Sequence, residues 1–548
     1  LTEPAWSRRD FLSGIKSAAL VALTAGGVSL TPWQEDTVEG AEAVPCSSIA
    51  QIAAKRADLA YALRERLAMR QRLVPMPGFP CNGDEQLFPD AIASFTKTLP
   101  HNDLGEVRLD AYAKLLDALK SANPDAFEAI PQRGTIKLVN PQAAFAYELE
   151  GPDSHHMSMP AAPSFLVPES ASEMVELYWQ ALARDVSFAD YKSNQLIQQA
   201  ASDLSRMTTF QGPKEKKRVT SRTLFRGDTP GDLTGPYISQ FLVKPVQYGA
   251  APMEQRIQTA VSGDDFATDY KSWLNLQQGS YSGKNQLDST PRYIRNGRDL
   301  TVYVHQDMAY HPYVSAAFIL MAMNAPLNAG NPYVHSKTQV GFATFGYPHI
   351  FYLFGSVCNR ALKCAWFQKW LVDRRLRPEA FGGRIHNHLT GNKGYLIYND
   401  VLYSEAVQET SRRFGTFLLP QAYPEGAPAH PSYPSGHATM AGACITVLKA
   451  FFDEYFVIPN PVVSNADGTV LLNYDGQNLT VGGELNKLGA NIALGRDFAG
   501  IHYRTDGIEG MKLGESVAIS VLAELKSTYN EKFNGFTFTK LDGTKITV

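Results

Sequence analysis

A chain of 548 residues that is 44% hydrophobic and 19% charged has the composition of a globular protein able to bury a sizeable core. Its formal net charge of -3 gives no general attraction for nucleic acid or an acidic membrane, so any anion site has to be local. Five cysteines with no Cys-x-x-Cys pair exclude a disulfide framework.

At the N-terminal end, Ser7-Arg8-Arg9-Asp10-Phe11-Leu12 precedes an apolar stretch of small residues from Ala18 to Val28, and Ala41-Glu42-Ala43 is a small-x-small cleavage signature. Residues 1–43 are therefore expected to be a twin-arginine export signal that sends the protein to the periplasm or outside the cell. The apolar stretch falls short of the ~20 residues that span a bilayer, so no stable membrane insertion is expected. Cys46 and Cys81 lie in polar, Pro-rich sequence and could pair in an exported protein, whereas Cys358, Cys364 and Cys444 read as inert core thiols.

Apolar residues recurring at three and four predict helices over Ser48 to Gln71, Ser172 to Ala183, Tyr313 to Met323, Ile350 to Arg375, His437 to Tyr455 and Gly510 to Tyr529. Asp-Gly turns within Val462 to Leu479 and Gly535 to Val548 predict two small peripheral hairpins. The fold class expected is mainly α, built of helical bundles. Lys214-Glu215-Lys216-Lys217-Arg218 reads as a solvated loop. A boundary near residue 290 would divide an N-terminal helical region, 44–290, from a C-terminal catalytic region, 291–548, although the two can share one core.

Three segments carry chemistry. On the predicted helix from Ile350, Trp366, Lys369 and Arg377 fall at spacings that put them on one face, with Pro378 ending the helix. Read alone, they make a solvated basic face. His430-Pro431-Ser432-Tyr433-Pro434-Ser435-Gly436-His437 leads straight into a small-residue helix, so free backbone N–H groups, the Ser435 hydroxyl and the helix dipole converge on one spot that favours an anion. Gly436 lets the backbone approach such a group and His437 supplies a titratable acid or base; the plain alternative is a Ser/Gly helix cap. In the third segment Arg496 is followed by His502 and, four residues on, by Asp506, which can orient that histidine as a ligand. A buried histidine satisfied by backbone is the alternative there.

Together, Lys-x7-Arg-Pro, Pro-Ser-Gly-His and Arg-x5-His-x3-Asp resemble the three-part signature of vanadium-dependent haloperoxidases and the related acid phosphatases. The Lys-to-Arg spacing, one longer than in the phosphatases, favours the haloperoxidase branch. Tyr293 to Leu300, Phe367-Gln368-Lys369, Leu376 to Ala380 with Gly382-Gly383, and His430 to Tyr433 look like the bromoperoxidases of red algae and cyanobacteria; residues 290 to 510 carry the likeness. It implies two four-helix bundles and a homo-oligomer, a dimer or larger, up to a dodecamer. It further implies a vanadate cofactor neutralised by Lys369, Arg377 and Arg496, hydrogen-bonded by Ser435 and Gly436, and ligated by His502. His437 would be the acid or base, and Lys369 a donor to the peroxide.

The implied partners are hydrogen peroxide, a halide and a small organic acceptor; no calcium loop is evident, which leaves any structural cation unknown. His430 matches a second histidine of bromoperoxidases, whereas Trp366 stands where the red-algal pattern has arginine. Bromide and iodide are the expected halides, with chloride a further candidate. The competing reading is an acid phosphatase acting through a phosphohistidine at His502. Asp299 and Asp307 are candidates to brace the arginines; His386 and His388 could line the channel but read, like His155 and His156, as an exposed loop pair.

Overall fold

The computed structural model describes residues 46–308 and 310–548, without the side chains of Cys46 and Ser47. The expected export signal and the pairing of Cys46 with Cys81 therefore lie outside the described residues. Backbone contacts divide the chain at Arg70/Gln71, inside the helix Cys46–Leu73. The described part of the first unit is that helix, which exposes Ile49, Ile52, Leu59 and Tyr61.

In the unit from Gln71 to Val548 the structure is mainly helical, with three two-stranded antiparallel hairpins. Two of these are the expected ones, Val462–Ser464 with Leu471–Asn473 and Thr537–Thr539 with Lys545–Thr547; the third, Val246–Tyr248 with Ala251–Met253, carries no Asn-Gly or Asp-Gly signal. Apolar residues from both sides of position 290, such as Trp179, Phe241, Leu300 and Leu448, belong to one core. Among the described residues no helix is long and apolar enough to cross a membrane.

Four helices, Tyr347–Phe367, Gly436–Phe451, Val481–Phe498 and Arg504–Leu525, pack on one another. Two glycines permit the closest of these contacts. A Cβ on Gly442 would lie 1.9 Å from the Met511 carbonyl oxygen, and one on Gly514 would lie 1.9 Å from that of Thr439. A second group gathers Gln195–Arg206, Asn399–Leu402 and Glu405–Phe414 around the buried helix Pro168–Ala183.

One predicted helix does not run as expected. Rather than continuing from Ile350 to Arg375, the helix Tyr347–Phe367 widens into a π turn at Gln368–Val372, and Asp373 leaves it with φ -135° and ψ 95°. The chain then runs extended beside residues 93–95, the Phe95 amide donating to the Arg374 carbonyl at 2.8 Å. Pro378 opens the next helix, Pro378–Leu389, with Arg377 as its N-cap. Proline lacks the N–H that a first helical turn leaves unpaired anyway, so it suits a helix start as well as it breaks a helix interior. Trp366, Lys369 and Arg377 consequently do not share one helical face. The same helix carries His386 and His388, which are not loop residues: the Phe417 amide donates to His386 Nδ1, and His388 Nδ1 lies 2.9 Å from the Tyr395 carbonyl oxygen.

Candidate active site

Four structural breaks converge at one end of the four-helix group. The π turn brings Lys369, and the following extended segment brings Arg377. The loop ending in Ser435 delivers the N-terminus of Gly436–Phe451, whose N-cap hydroxyl accepts from the Ala438 amide at 3.4 Å. The turn between Val481–Phe498 and Arg504–Leu525 holds His502, with Arg496 in the last turn before it.

Arg377 ties these pieces together. Its Nε donates to the His430 carbonyl at 2.8 Å, Nη1 to the Ile501 carbonyl at 2.8 Å and to His502 Nε2 at 3.0 Å, and Nη2 to His430 Nδ1 at 2.9 Å. Lys369 Nζ donates to the carbonyls of Pro431 and Ser432 at 2.7 and 2.9 Å and lies 5.8 Å from the Trp366 ring centre. The Trp366 and His430 rings lie 4.8 Å apart. Trp366 also leaves room for Gly436: a Cβ there would come 3.2 Å from Trp366 Cζ3, so a side chain would crowd the indole. Arg496 Nη1 donates to the Val304 carbonyl at 2.6 Å.

Asp506 orients the histidine. One of its oxygens accepts from His502 Nδ1 at 2.8 Å, from the Ser432 hydroxyl and from the Tyr503 amide; the other takes Arg375 Nη1 at 3.0 Å. Arg375 in turn pairs with Glu173 at 2.8 Å. With the proton held on Nδ1, the lone pair of His502 is on Nε2, facing Arg377.

The electrostatics are unbalanced. Among the described residues neither Lys369, Arg377 nor Arg496 has a carboxylate within ion-pair distance, and the buried Nε of Arg496 has no hydrogen-bond partner. Burial, then Arg377, pulls the Lys369 ammonium well below its ordinary range, with Arg496 adding to this and Asp506 opposing it. Burial also lowers Arg377, to about 9, so it stays charged at neutral pH. His502 and His430 are pushed well below 6.5 by burial and by Arg377 and Lys369. The His502–Asp506 contact is therefore a hydrogen bond to a neutral imidazole and not an ion pair. His437 is lowered by burial and Arg496, against the pull of Asp307, whose carboxylate lies 3.0 Å from His437 Nε2.

The structure thus links Trp366, Lys369, Arg377, His430, Ser435, Gly436, His437, Arg496 and His502 in one neighbourhood. Of the two candidate braces, Asp307 meets the site through His437, whereas Asp299 pairs with Arg295 at 3.2 Å and does not reach it. Asp299 serves instead as the first-turn acid of Gly297–Tyr303, its amide donating to Asn296 Oδ1 at 2.9 Å. Sequence reasoning gave no role to Arg375, Ser432 or Glu173. Arg375 stands in the basic run Arg374 to Arg377, which is a usable signal; Glu173, some two hundred residues away in sequence, has none.

Buried cations without carboxylate partners, around a histidine whose Nδ1 is held by Asp506 and whose Nε2 accepts from Arg377, make a pocket suited to an anion. Comparison with known proteins gives that class its family. A family model described as VCPO second helical-bundle domain matches residues 359–531. The chain is 37% identical to a vanadium-dependent bromoperoxidase of Ascophyllum nodosum over 511 residues, covering 87% of this chain and 90% of that protein. It is 34% identical to one of Corallina officinalis over 586 residues, covering 91% and 97%. The solved homohexameric structure of the second vanadate-dependent bromoperoxidase of Ascophyllum nodosum superposes with a TM-score of 0.85 at 29% identity, covering 96% of this chain and 95% of that one. The chain belongs to the vanadium-dependent haloperoxidase family and is an enzyme of that family.

Proposed function

We propose that the chain uses hydrogen peroxide to oxidise bromide and iodide, with chloride a further candidate, to hypohalous acid or an equivalent halogenating species that a small organic acceptor consumes. The observation that carries the cofactor assignment is the set of buried cations without carboxylates, including the unpartnered Arg496 Nε, beside a histidine whose Nδ1 is held by Asp506 and whose Nε2 lone pair faces Arg377. Vanadate fits this set by charge and by donor type. When bound, it supplies the Lewis acidity that activates peroxide toward a halide.

The chain's own residues do the rest. Lys369, Arg377 and Arg496 would neutralise the oxyanion, the Ser435 hydroxyl and Gly436 N–H would donate to it, and His502 would ligate it. Arg377 holds the neutral rings of His502 and His430 through the same guanidinium, so ligand and pocket wall are positioned together. His437, held by Asp307, takes or returns a proton as peroxide enters. Lys369 donates to the peroxide, and its two carbonyl partners aim the ammonium there. Trp366 and His430, packed against each other, form the wall where the halide is selected.

Vanadium analysis together with a peroxide-dependent bromination assay tests this reading. One vanadium per chain with bromide-dependent turnover is expected. Phosphate-ester turnover that vanadate inhibits and His502→Ala abolishes, with no halogenation, would instead establish the phosphatase reading through His502. The homohexameric relative supports a homo-oligomer. The export signal is proposed from sequence alone, and fractionation of cells expressing the full gene tests it.

A further inference from the structure

The helices that carry Arg496 and His502 also enclose a separate cavity. Ala490, Ala493, Leu494 and Asp497 line it from Val481–Phe498, at the spacing of one helical face. Arg504, Gly507, Ile508, Met511 and Lys512 line it from Arg504–Leu525 at the same kind of spacing. Segment 227–232 and Leu541-Asp542 complete a volume of about 410 Å³. The two stripes touch at Gly507, where a Cβ would come 3.1 Å from the Ala493 Cβ, and part elsewhere around a space in the range of small-molecule sites.

One acid in the wall has no hydrogen-bond partner. Asp497 is buried, and its Oδ1 makes no hydrogen bond. The cations nearby are engaged elsewhere. Arg504 gives Nε and Nη2 to Glu176 and Nη1 to the Arg226 carbonyl, and Lys512 pairs with Glu509 at 2.8 Å. Asp228, Asp232 and Asp542 add carboxylates to the lining. Four lining carboxylates against two cations, each already paired with a glutamate, make the wall unfavourable for an anion. A bare metal ion is equally disfavoured, since among the described residues no group of three His, Cys, Asp or Glu could hold one. A neutral ligand would leave Asp497 buried and unpaired.

We propose that this cavity binds a small organic cation, an ammonium or amidinium head paired with Asp497 and an apolar body lying on Leu494, Ile508 and Met511. The site is distinct from the oxyanion site, although Asp497 adjoins Arg496 in the chain. Burial and the neighbouring Glu176 raise the Asp497 acid, a cost that a paired cation relieves. The apolar stripes account for the body, and the unpaired carboxylate for the head.

Isothermal titration of the full chain, with and without bound vanadate, tests the proposal using 2-phenylethylammonium against its neutral analogue 2-phenylethanol. One-to-one binding of the cation is expected, at least tenfold tighter than of the alcohol and unchanged by vanadate. Asp497→Asn should weaken it tenfold or more. Ile508→Trp, which fills the cavity and leaves the acid in place, should abolish it while halogenation persists. Equal binding of cation and alcohol, or full binding by either folded variant, overturns the assignment. So does the absence of any saturable binding, which would identify a water-filled void.

Discussion

Replacing Asp506 with asparagine separates positioning of the ligand from the charge of the site. In the wild-type chain one carboxylate oxygen serves His502, Ser432 and the Tyr503 amide while the other serves Arg375. An amide can present only one acceptor oxygen. If it faces His502, its NH2 confronts the Arg375 guanidinium. If it faces Arg375, its NH2 confronts His502 Nδ1 and drives the ring proton to Nε2, against the Arg377 N–H at 3.0 Å and with no lone pair left for a ligand. Either way a buried ion pair is broken, which costs about 3 kcal/mol of stability in the vanadate-free protein. Loss of the group that orients a metal-binding histidine typically weakens metal affinity by about 10 to 100-fold, or about 1.4 to 2.8 kcal/mol. Asp506 also opposes the depression of Lys369 and Arg377, so its loss further weakens the charge available for an oxyanion. Titration of the vanadate-free variant with orthovanadate, followed by calorimetry and by recovery of bromination, measures the effect. A dissociation constant within twofold of wild type in a folded Asp506→Asn variant would refute both the tautomer assignment and the role of His502.

Asp307→Asn removes the carboxylate that favours the His437 imidazolium, so the His437 pKa falls further below 6.5. If neutral His437 is the base, the acid limb of kcat/KM shifts to lower pH, while the plateau falls about tenfold through lost orientation; a pH–rate profile with an unmoved limb would remove Asp307 from the mechanism. His430→Ala should lower kcat/KM for bromide by about tenfold, with little change in vanadate affinity. Competition between halides at fixed peroxide checks this, and intact bromide turnover would exclude His430 from the pocket wall. For stability, His101 is buried with its ring bonded to the Leu99 carbonyl and the Thr96 hydroxyl, and its pKa falls to about 3. The unfolded chain binds the extra proton first, so the stabilisation from His101 is complete above pH 6.5 and is lost as pH falls toward 3. Wild type and His101→Gln, compared by denaturant titration at several pH values, should converge in stability through that window; a constant difference would show that His101 does not titrate there.

What the sequence disclosed about this site follows the range of the interactions involved. A Ser-Gly pair before a run of small residues specifies a helix N-terminus within one turn, and the structure starts its helix at Gly436 with Ser435 as cap. His502 and Asp506, four apart across a helix start, meet for the same local reason. Pro378 was ambiguous because proline's fixed φ and missing N–H are compatible with a helix ending before it or beginning at it. Only the extended segment against residues 93–95, a contact across some 280 positions, decides for the second. That choice matters for chemistry. Had the helix run on to Arg377, Arg375 and Arg377 would project about 200° apart, on opposite faces. In the extended segment the side chains at 375 and 377 lie on the same side, and from there both reach the His502 turn, Arg377 at the histidine's Nε2 and Arg375 at the carboxylate that holds its Nδ1. The Glu173–Arg375–Asp506 chain then extends the grip on His502 into the other helical group, through a residue that no local pattern marks. The oxyanion donors were thus readable as motifs, whereas the bracing that fixes their protonation states arises from packing between distant segments.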